Sequence, residues 1–385
     1  MKVVIASDSY KESLSALDVG RAIAEGVREI FPDAVCEVLP VADGGEGTVE
    51  ALVDATGGSY ETRTVTGPLG QPLAARFGRL GDGRTAVIEM AAASGLMHVA
   101  PSARDPMATT TRGTGELIRA ALDLGQRHLI LGIGGSATVD GGIGMLQALG
   151  VRLLDHAGRP VGEGGQALSR LASIDASGLD QRLAECVVEV ACDVDNPLTG
   201  PHGAAAVFGP QKGATPDMVA ELDRSLGVFA GIVARDLGIA VADVPGAGAA
   251  GGMGAAALAF FRARLRPGVE IVLDALDFAS RLKGADLVIT GEGRIDSQTV
   301  HGKTPIGVTR IARAHGIPVI GIAGSLSDDA EMVTGHGIEA VFSVLRRPVT
   351  LEEALAGAAA NVRRAARNVA AVLALGRRLG GGRPI

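Results

Sequence analysis

KVVIASDSYKESLSALDVGRAIAEGVREIF, Lys2–Phe31, holds the reading on which the fold turns. An unbroken apolar run stops at Asp8 and a polar loop follows. Ser15, with Asp18 three residues on, then makes a capping box at the head of a stretch with helical period. A strand apolar at every position is buried on both faces, as parallel strands are. The same grammar recurs in CEVLPVAD, the glycine turn DGGEG and the helix TVEALVDAT. It returns near the other end in ADLVITGEG, the helix IGVTRIARAHG, the strands IPVIGIAG and EAVFSVL, and a long Ala/Arg-rich helix from about Leu351. These alternating strands and helices predict a doubly wound, flavodoxin-like parallel sheet made by residues 1–66 and 284–385.

Residues 67–283 follow another pattern and predict an inserted α/β domain with a mixed sheet. LAARFGRLGDGRTAVIEMA alternates across a Gly-Asp-Gly turn, which brings in an antiparallel hairpin. RHLILGIGG and VVEVACDVD are further strands, with helices at GELIRAALDLG, GMLQALG and MVAELDRSLGVFAGIVARDLG. Winding the outer sheet in the order 2-1-3-4-5 makes KVVIASD and ADLVIT neighbours at the switch point, where ligands of such sheets bind. The expected active site therefore lies at that point, in a cleft facing the insert.

Composition narrows the partners. The chain has 385 residues, 56 of them glycine, no Trp and a net charge of −7, so recognition rests on backbone-rich loops and not on aromatic anchors. A negative balance speaks against nucleic acid or an anionic membrane surface, and no apolar stretch approaches the length of a membrane span. Cys36, Cys186 and Cys192 show no metal or disulfide spacing, which suits a cytoplasmic protein. A homodimer is compatible with these features.

Several loops carry chemistry. GEGRIDSQTVHGKTP (291–305) looks like a nucleotide loop, but a P-loop needs glycine where Ser297 stands. It gathers Glu292, Arg294, Asp296 and Lys303, opposite Asp8 and Lys11 of the first loop. In LILGIGGSATVDGGIGMLQALG (129–150) a strand ends in Gly134, Gly135 and Ser136 and a helix follows, so bare N–H groups can meet an anion, with Asp140 nearby. In CDVDNPLTGPHGAAAVFGPQKGA (192–214), Asp193 and Asp195 are candidate Mg²⁺ ligands and Lys212 a candidate phosphate partner. Asp43 and Glu46 in VADGGEGT suit acid–base, metal or hydroxyl-binding roles, or plain helix capping. Arg112 suits a carboxylate clamp. PGAGAAGG has the GxGxxG spacing of a dinucleotide site at Gly246, Gly248 and Gly251, the basis of an alternative reading as an NAD(P)-dependent dehydrogenase of a small hydroxy acid. A non-enzymatic small-acid-binding protein is the other alternative.

Taken in order, SDSYKESLSA, VADGGEGT, GPLG, GIGGSATVDGG, CDVDNPLTGPHGAA, FGPQKGA, GAGAAGGMGAA and GEGRIDSQTVHGKTP resemble the bacterial glycerate kinases of the two-domain type over nearly the whole chain. The resemblance implies transfer of the γ-phosphoryl group of ATP to D-glycerate with Mg²⁺, giving 2-phosphoglycerate in many members and 3-phosphoglycerate in others. It implies catalytic roles for Asp8, Lys11, Asp296 and Lys303. Asp296 is then the proton acceptor or the orienter of the attacking hydroxyl, with Asp8 as rival base. Substrate contacts are implied for Ser9, Ser13, Asp43, Glu46, Arg112, Glu292 and Arg294, and nucleotide contacts for Gly134, Gly135, Ser136, Asp140, Lys212, Gly251 and Gly252. Two positions depart from the family pattern: Val139 stands where Asn is common, and Glu12 where Gly is common.

Overall fold

A computed structural model describes residues 1–300 and 302–380. The chain forms two compact units. One comprises Met1–Asp43, Glu50–Thr56 and the chain from Val269 onward; the other comprises Gly44–Val49 and Gly57–Gly268.

In the first unit a parallel sheet is assembled from Lys2–Ser7, Val35–Val38, Leu287–Gly291, Val319–Ala323 and Ala340–Ser343, in the spatial order 2-1-3-4-5. Lys2–Ser7 sits between Val35–Val38 and Leu287–Gly291, pairing Ser7 with Gly291. This is the predicted order, and it makes the strand ends at Asp8 and Glu292 neighbours at the switch point. Ile5, Ile289 and Ile322 of the sheet are fully buried, and Ile23 and Val362 from the helices Ala16–Arg28 and Ala358–Leu379 pack into the same core. Ser15 is the N-cap, its hydroxyl accepting from the backbone N–H of Asp18, but half of the predicted capping box is replaced: the Asp18 carboxylate accepts from the Ser15 hydroxyl and not from the Ser15 backbone N–H. Burying one such helix face, at ~25 cal/mol per Å² of apolar surface, is what holds a helix of this length in place.

The second unit has a six-stranded sheet. Ser59–Thr66, Pro72–Arg79 and Thr85–Glu89 run as an antiparallel meander, and His128–Gly132, Val187–Ala191 and Arg264–Arg266 continue it in parallel. The predicted hairpin is present, with Arg79 opposite Ala86. Ser59–Thr66 corrects the sequence reading, which left it in the first domain: it is the edge strand of this second sheet. Its polar alternation, exposed at Ser59, Tyr60, Thr62 and Thr64, is that of an edge strand and lacks an apolar run to mark it. The C-terminal boundary also moves, from 283 to Gly268. Val139 lies fully buried in the core of this unit, which an apolar side chain suits without a polar partner.

Among the described residues no helix is long and apolar enough to cross a membrane. Glu12 has a left-handed backbone (φ 61°) in the exposed turn after Tyr10. An L side chain costs roughly 1 kcal/mol there. Glu12→Gly is therefore expected to stabilise the fold by about 0.5 kcal/mol after glycine's own entropy cost, read as a higher midpoint of urea unfolding. A lower midpoint would show that the carboxylate offsets the strain.

Candidate active site

The first unit places a cluster of carboxylates at the switch point. Asp8 follows directly on Lys2–Ser7, and its backbone N–H donates to Gly291 O at 2.9 Å. Oδ1 accepts from Ser9 N at 2.7 Å and Oδ2 from the Thr304 hydroxyl at 2.7 Å. Burial, and then the charge of Asp43, push its carboxyl up to about 6, against those donors. Glu292, just past the neighbouring strand, accepts from the Thr299 hydroxyl at 2.6 Å. Burial raises it to about 7, with Asp8 and Asp296 adding to the rise and Thr299 and Lys303 opposing it. Lys303 Nζ stands 3.8 Å from both Glu292 and Asp296, and the residue occupies the N-cap position of the helix Thr304–Ala314 without a side-chain capping bond. Asp296 also accepts from Gln298 N at 2.9 Å and lies 3.7 Å from Arg294 Nε. Asp8, Ser9, Asp43, Glu292, Asp296 and Lys303 are thus gathered from segments far apart in sequence.

Other predicted members lie at the exposed edge of this cluster or away from it. Lys11 is exposed on the turn after Tyr10, its backbone N–H beside Gly293, and Arg294 is also exposed. Ser13 points its hydroxyl at Leu355 O, 3.5 Å away. Thr299, Thr304 and Tyr10, whose buried hydroxyl donates to Ile322 O at 2.7 Å, are the supports that sequence reasoning did not single out. The Thr-Pro at the head of a helix after Lys303 was the available signal for Thr304.

In the second unit His128–Gly132 ends in a turn whose Gly134 and Gly135 are exposed. Gly45 of the DGGEG loop packs beside Gly134, 3.8 Å from where its Cβ would lie, and Glu46 is exposed there. Beneath the turn lies Lys212, only 2 % exposed, donating to Ser136 Oγ at 2.8 Å and Thr138 O at 2.7 Å. Burial pushes its amine down to about 7, while the nearby Asp140 charge works the other way.

Three expectations change in this unit. Lys212 points inward under the turn and not outward to solvent, because its stem is sealed in the interior. Asp140 is likewise fully buried. It accepts from Thr111 N and Oγ1 at 2.9 and 2.8 Å and from Gly142 N and Gly144 N at 3.0 and 3.3 Å, and so staples two loops together. Burial raises its carboxyl, against those four donors. Arg112, read as a clamp, pairs with Glu163.

The dinucleotide alternative fails on structure. Residues 239–244 form no strand, and Gly251 and Gly252 are buried with left-handed backbones inside Ala249–Phe261. A Cβ on Gly251 would come within 2.0 Å of Thr138 O, and Gly141 N donates to Gly251 O at 2.9 Å. These glycines therefore let one loop seat against the glycine turn. Asp193 and Asp195 are exposed after Val187–Ala191, and Asp193 accepts from Gly268 N at 3.0 Å. No group of three or more His, Cys, Asp or Glu is placed to hold a metal among the described residues.

An exposed glycine turn at one strand end and a carboxylate–lysine cluster at another are features of a two-unit α/β enzyme. Residues 3–374 match the sequence pattern of the glycerate kinase family, and the chain belongs to that family. It is 60 % identical to a glycerate kinase of Bacillus subtilis (strain 168), over 97 % of this chain and 98 % of that one. It is 58 % identical to a glycerate 2-kinase of Escherichia coli (strain K12), over 99 % of this chain and 100 % of that one. It is similar, at TM-score 0.92 and 61 % identity, to a crystal structure of a protein of Salmonella typhimurium LT2 described as a putative glycerate kinase 2, covering 98 % of this chain and 99 % of that one.

Proposed function

We propose that the chain transfers the γ-phosphoryl group of ATP to a hydroxyl of D-glycerate, giving 2-phosphoglycerate, in the cytoplasm. The observation that carries the reading is the carboxylate cluster at the switch point of a chain so similar to a glycerate 2-kinase. Phosphoryl transfer asks for positioning, cations around the moving charge and a group to take the hydroxyl proton. Asp8 is the better base, with its carboxyl near 6, because a base works best near the operating pH. Lys303 steadies the transferring charge, and Glu292 and Asp43 hold the hydroxyls of the acceptor. Lys11 and Arg294, both exposed, meet its carboxylate.

The polyphosphate lies on the turn Gly134–Ser136, where Gly134 and Gly135 are exposed. Asp193 and Asp195 suit Mg²⁺, which takes one or two carboxylates together with phosphate oxygens and would neutralise the developing charge.

Incubating the pure protein with MgATP and D-glycerate, tartronate or L-lactate, and following ADP, tests the activity. Phosphorus NMR of the product should show 2-phosphoglycerate. A 3-phosphoglycerate signal would reassign the hydroxyl, and tight binding without ADP would make the chain a small-acid-binding protein. For the nucleotide turn, Gly135→Val is expected to weaken ATP binding at least tenfold by calorimetry with the fold intact, since Gly135 has φ 71° and is exposed. Unchanged affinity would remove this turn from the site.

A further inference from the structure

We infer that Lys212 is a positioning residue for the nucleotide, fixing the Ser136 hydroxyl as a hydrogen-bond donor toward the polyphosphate without touching the ligand itself; this rests on the reading of Gly134–Ser136 as the phosphate turn. Lysine has three N–H donors and no acceptor in its charged form. One donor goes to Ser136 Oγ and one to Thr138 O. Because Ser136 Oγ accepts from the amine, its own proton cannot point back along that bond. A hydroxyl with its lone pair engaged from behind, at the rim of exposed glycines, presents its proton to an incoming anion. Ser136 is 8 % exposed and Lys212 2 %, so the serine is the group nearer the ligand.

The surroundings carry the same point. The Thr138 hydroxyl is fully buried and has no hydrogen-bond partner among the described residues, although it belongs to the residue whose carbonyl takes the second lysine proton. A segment selected only for stability would not bury a lysine beside an unpartnered hydroxyl, because each costs free energy. The backbone around it is held from other directions: Leu96 N donates to Gly135 O at 2.8 Å, Ala137 N to Ser94 O at 2.9 Å, and Gly251 packs on Thr138 O. The turn's shape therefore does not depend on Lys212 alone. What the amine adds is the direction of the Ser136 proton.

The test uses the full chain, with ATP titrated calorimetrically and KM measured separately for ATP and glycerate. Ser136→Ala is expected to weaken ATP binding about tenfold, the worth of one charge-assisted hydrogen bond, with KM for glycerate within about twofold. Ser136→Thr, which keeps the hydroxyl, should restore most of the loss. Lys212→Met should weaken ATP by a similar factor, and the double variant should be no worse than Ser136→Ala alone, because the lysine acts through the serine.

Two results overturn the inference: multiplying effects in the double variant, or full ATP affinity in Ser136→Ala. If Lys212→Met does not fold, the Ser136→Ala and Ser136→Thr pair still decides it. If Gly135→Val also leaves ATP binding unchanged, the underlying reading of the turn has failed. If Gly135→Val weakens binding and Ser136→Ala does not, only the role given to Lys212 has.

Discussion

Asp8→Asn is expected to lower kcat by ~10² to 10⁴ and, at pH 8, to make the protein more stable. The loss follows from removing a base: asparagine keeps the shape and cannot take a proton. The gain follows from linkage. In the folded state the Asp8 carboxyl is raised from 3.8 to about 6, so the native protein holds this proton more tightly than the unfolded chain. Stability from that proton is fully present below pH ~3.8 and is lost as pH rises through about 6. At pH 8 the buried charge is therefore a cost, and asparagine removes it. One of the donors, Thr304 or Ser9, loses its acceptor in exchange, so the net gain is on the order of 1 kcal/mol. Urea unfolding at pH 8 and pH 4 should show the gain only at the higher pH. The wild-type rate should fall below about pH 6 as Asp8 is protonated. Should Asp8→Asn keep near-full kcat while Asp296→Asn loses it, the base is Asp296.

Gly291→Ala is expected to cost more than about 3 kcal/mol, and so to leave little folded protein. A Cβ there would lie 1.7 Å from Ile322 O, closer than any side chain can relieve, because the obstacle is the backbone of the adjacent strand. The same glycine's carbonyl accepts from Asp8 N and from the Ser7 hydroxyl, so any shift of the strand end also displaces the base. The control is Gly231→Ala, within the helix Pro216–Leu237, where nothing lies within 4 Å of an added Cβ. It should be stabilising, by ~0.5–1 kcal/mol of helix propensity. Equal unfolding midpoints for the two variants would show that the sheet can open at Gly291.

The parallel sheet was legible because its strands are continuous apolar runs bounded by polar loops, and the 2-1-3-4-5 order of such a sheet already places Asp8 beside Glu292. The edge strand Ser59–Thr66 was not, since SYETRTVT is polar on its exposed face and pairs with residues only a turn away. For the site, residue type announced charge but not direction. PQKGA reads equally well with its lysine in solvent or in the core, and only the packing around Ser136 and Thr138 turns Lys212 inward. Asp140 is a similar case, an acid in a glycine loop that becomes an internal staple because Thr111 lies across from it. Thr299 and Thr304 went unnoticed because a threonine's role as a donor to a carboxylate depends on which strand ends are neighbours.

The central position of Lys2–Ser7 has a consequence for synthesis. One flank of this strand is completed by Val35–Val38, almost at once, but the other waits for Leu287–Gly291, and the outermost strand for Ala340–Ser343. The six-stranded sheet, by contrast, has all its strands by Arg266. On the ribosome Lys2–Ser7, which precedes its partner Leu287–Gly291 by most of this sequence, must therefore remain in an unfinished hydrophobic ribbon while the six-stranded sheet becomes native, at ~5–20 residues per second. That interval, some tens of seconds at the slower rate, is when the nascent chain most needs a chaperone.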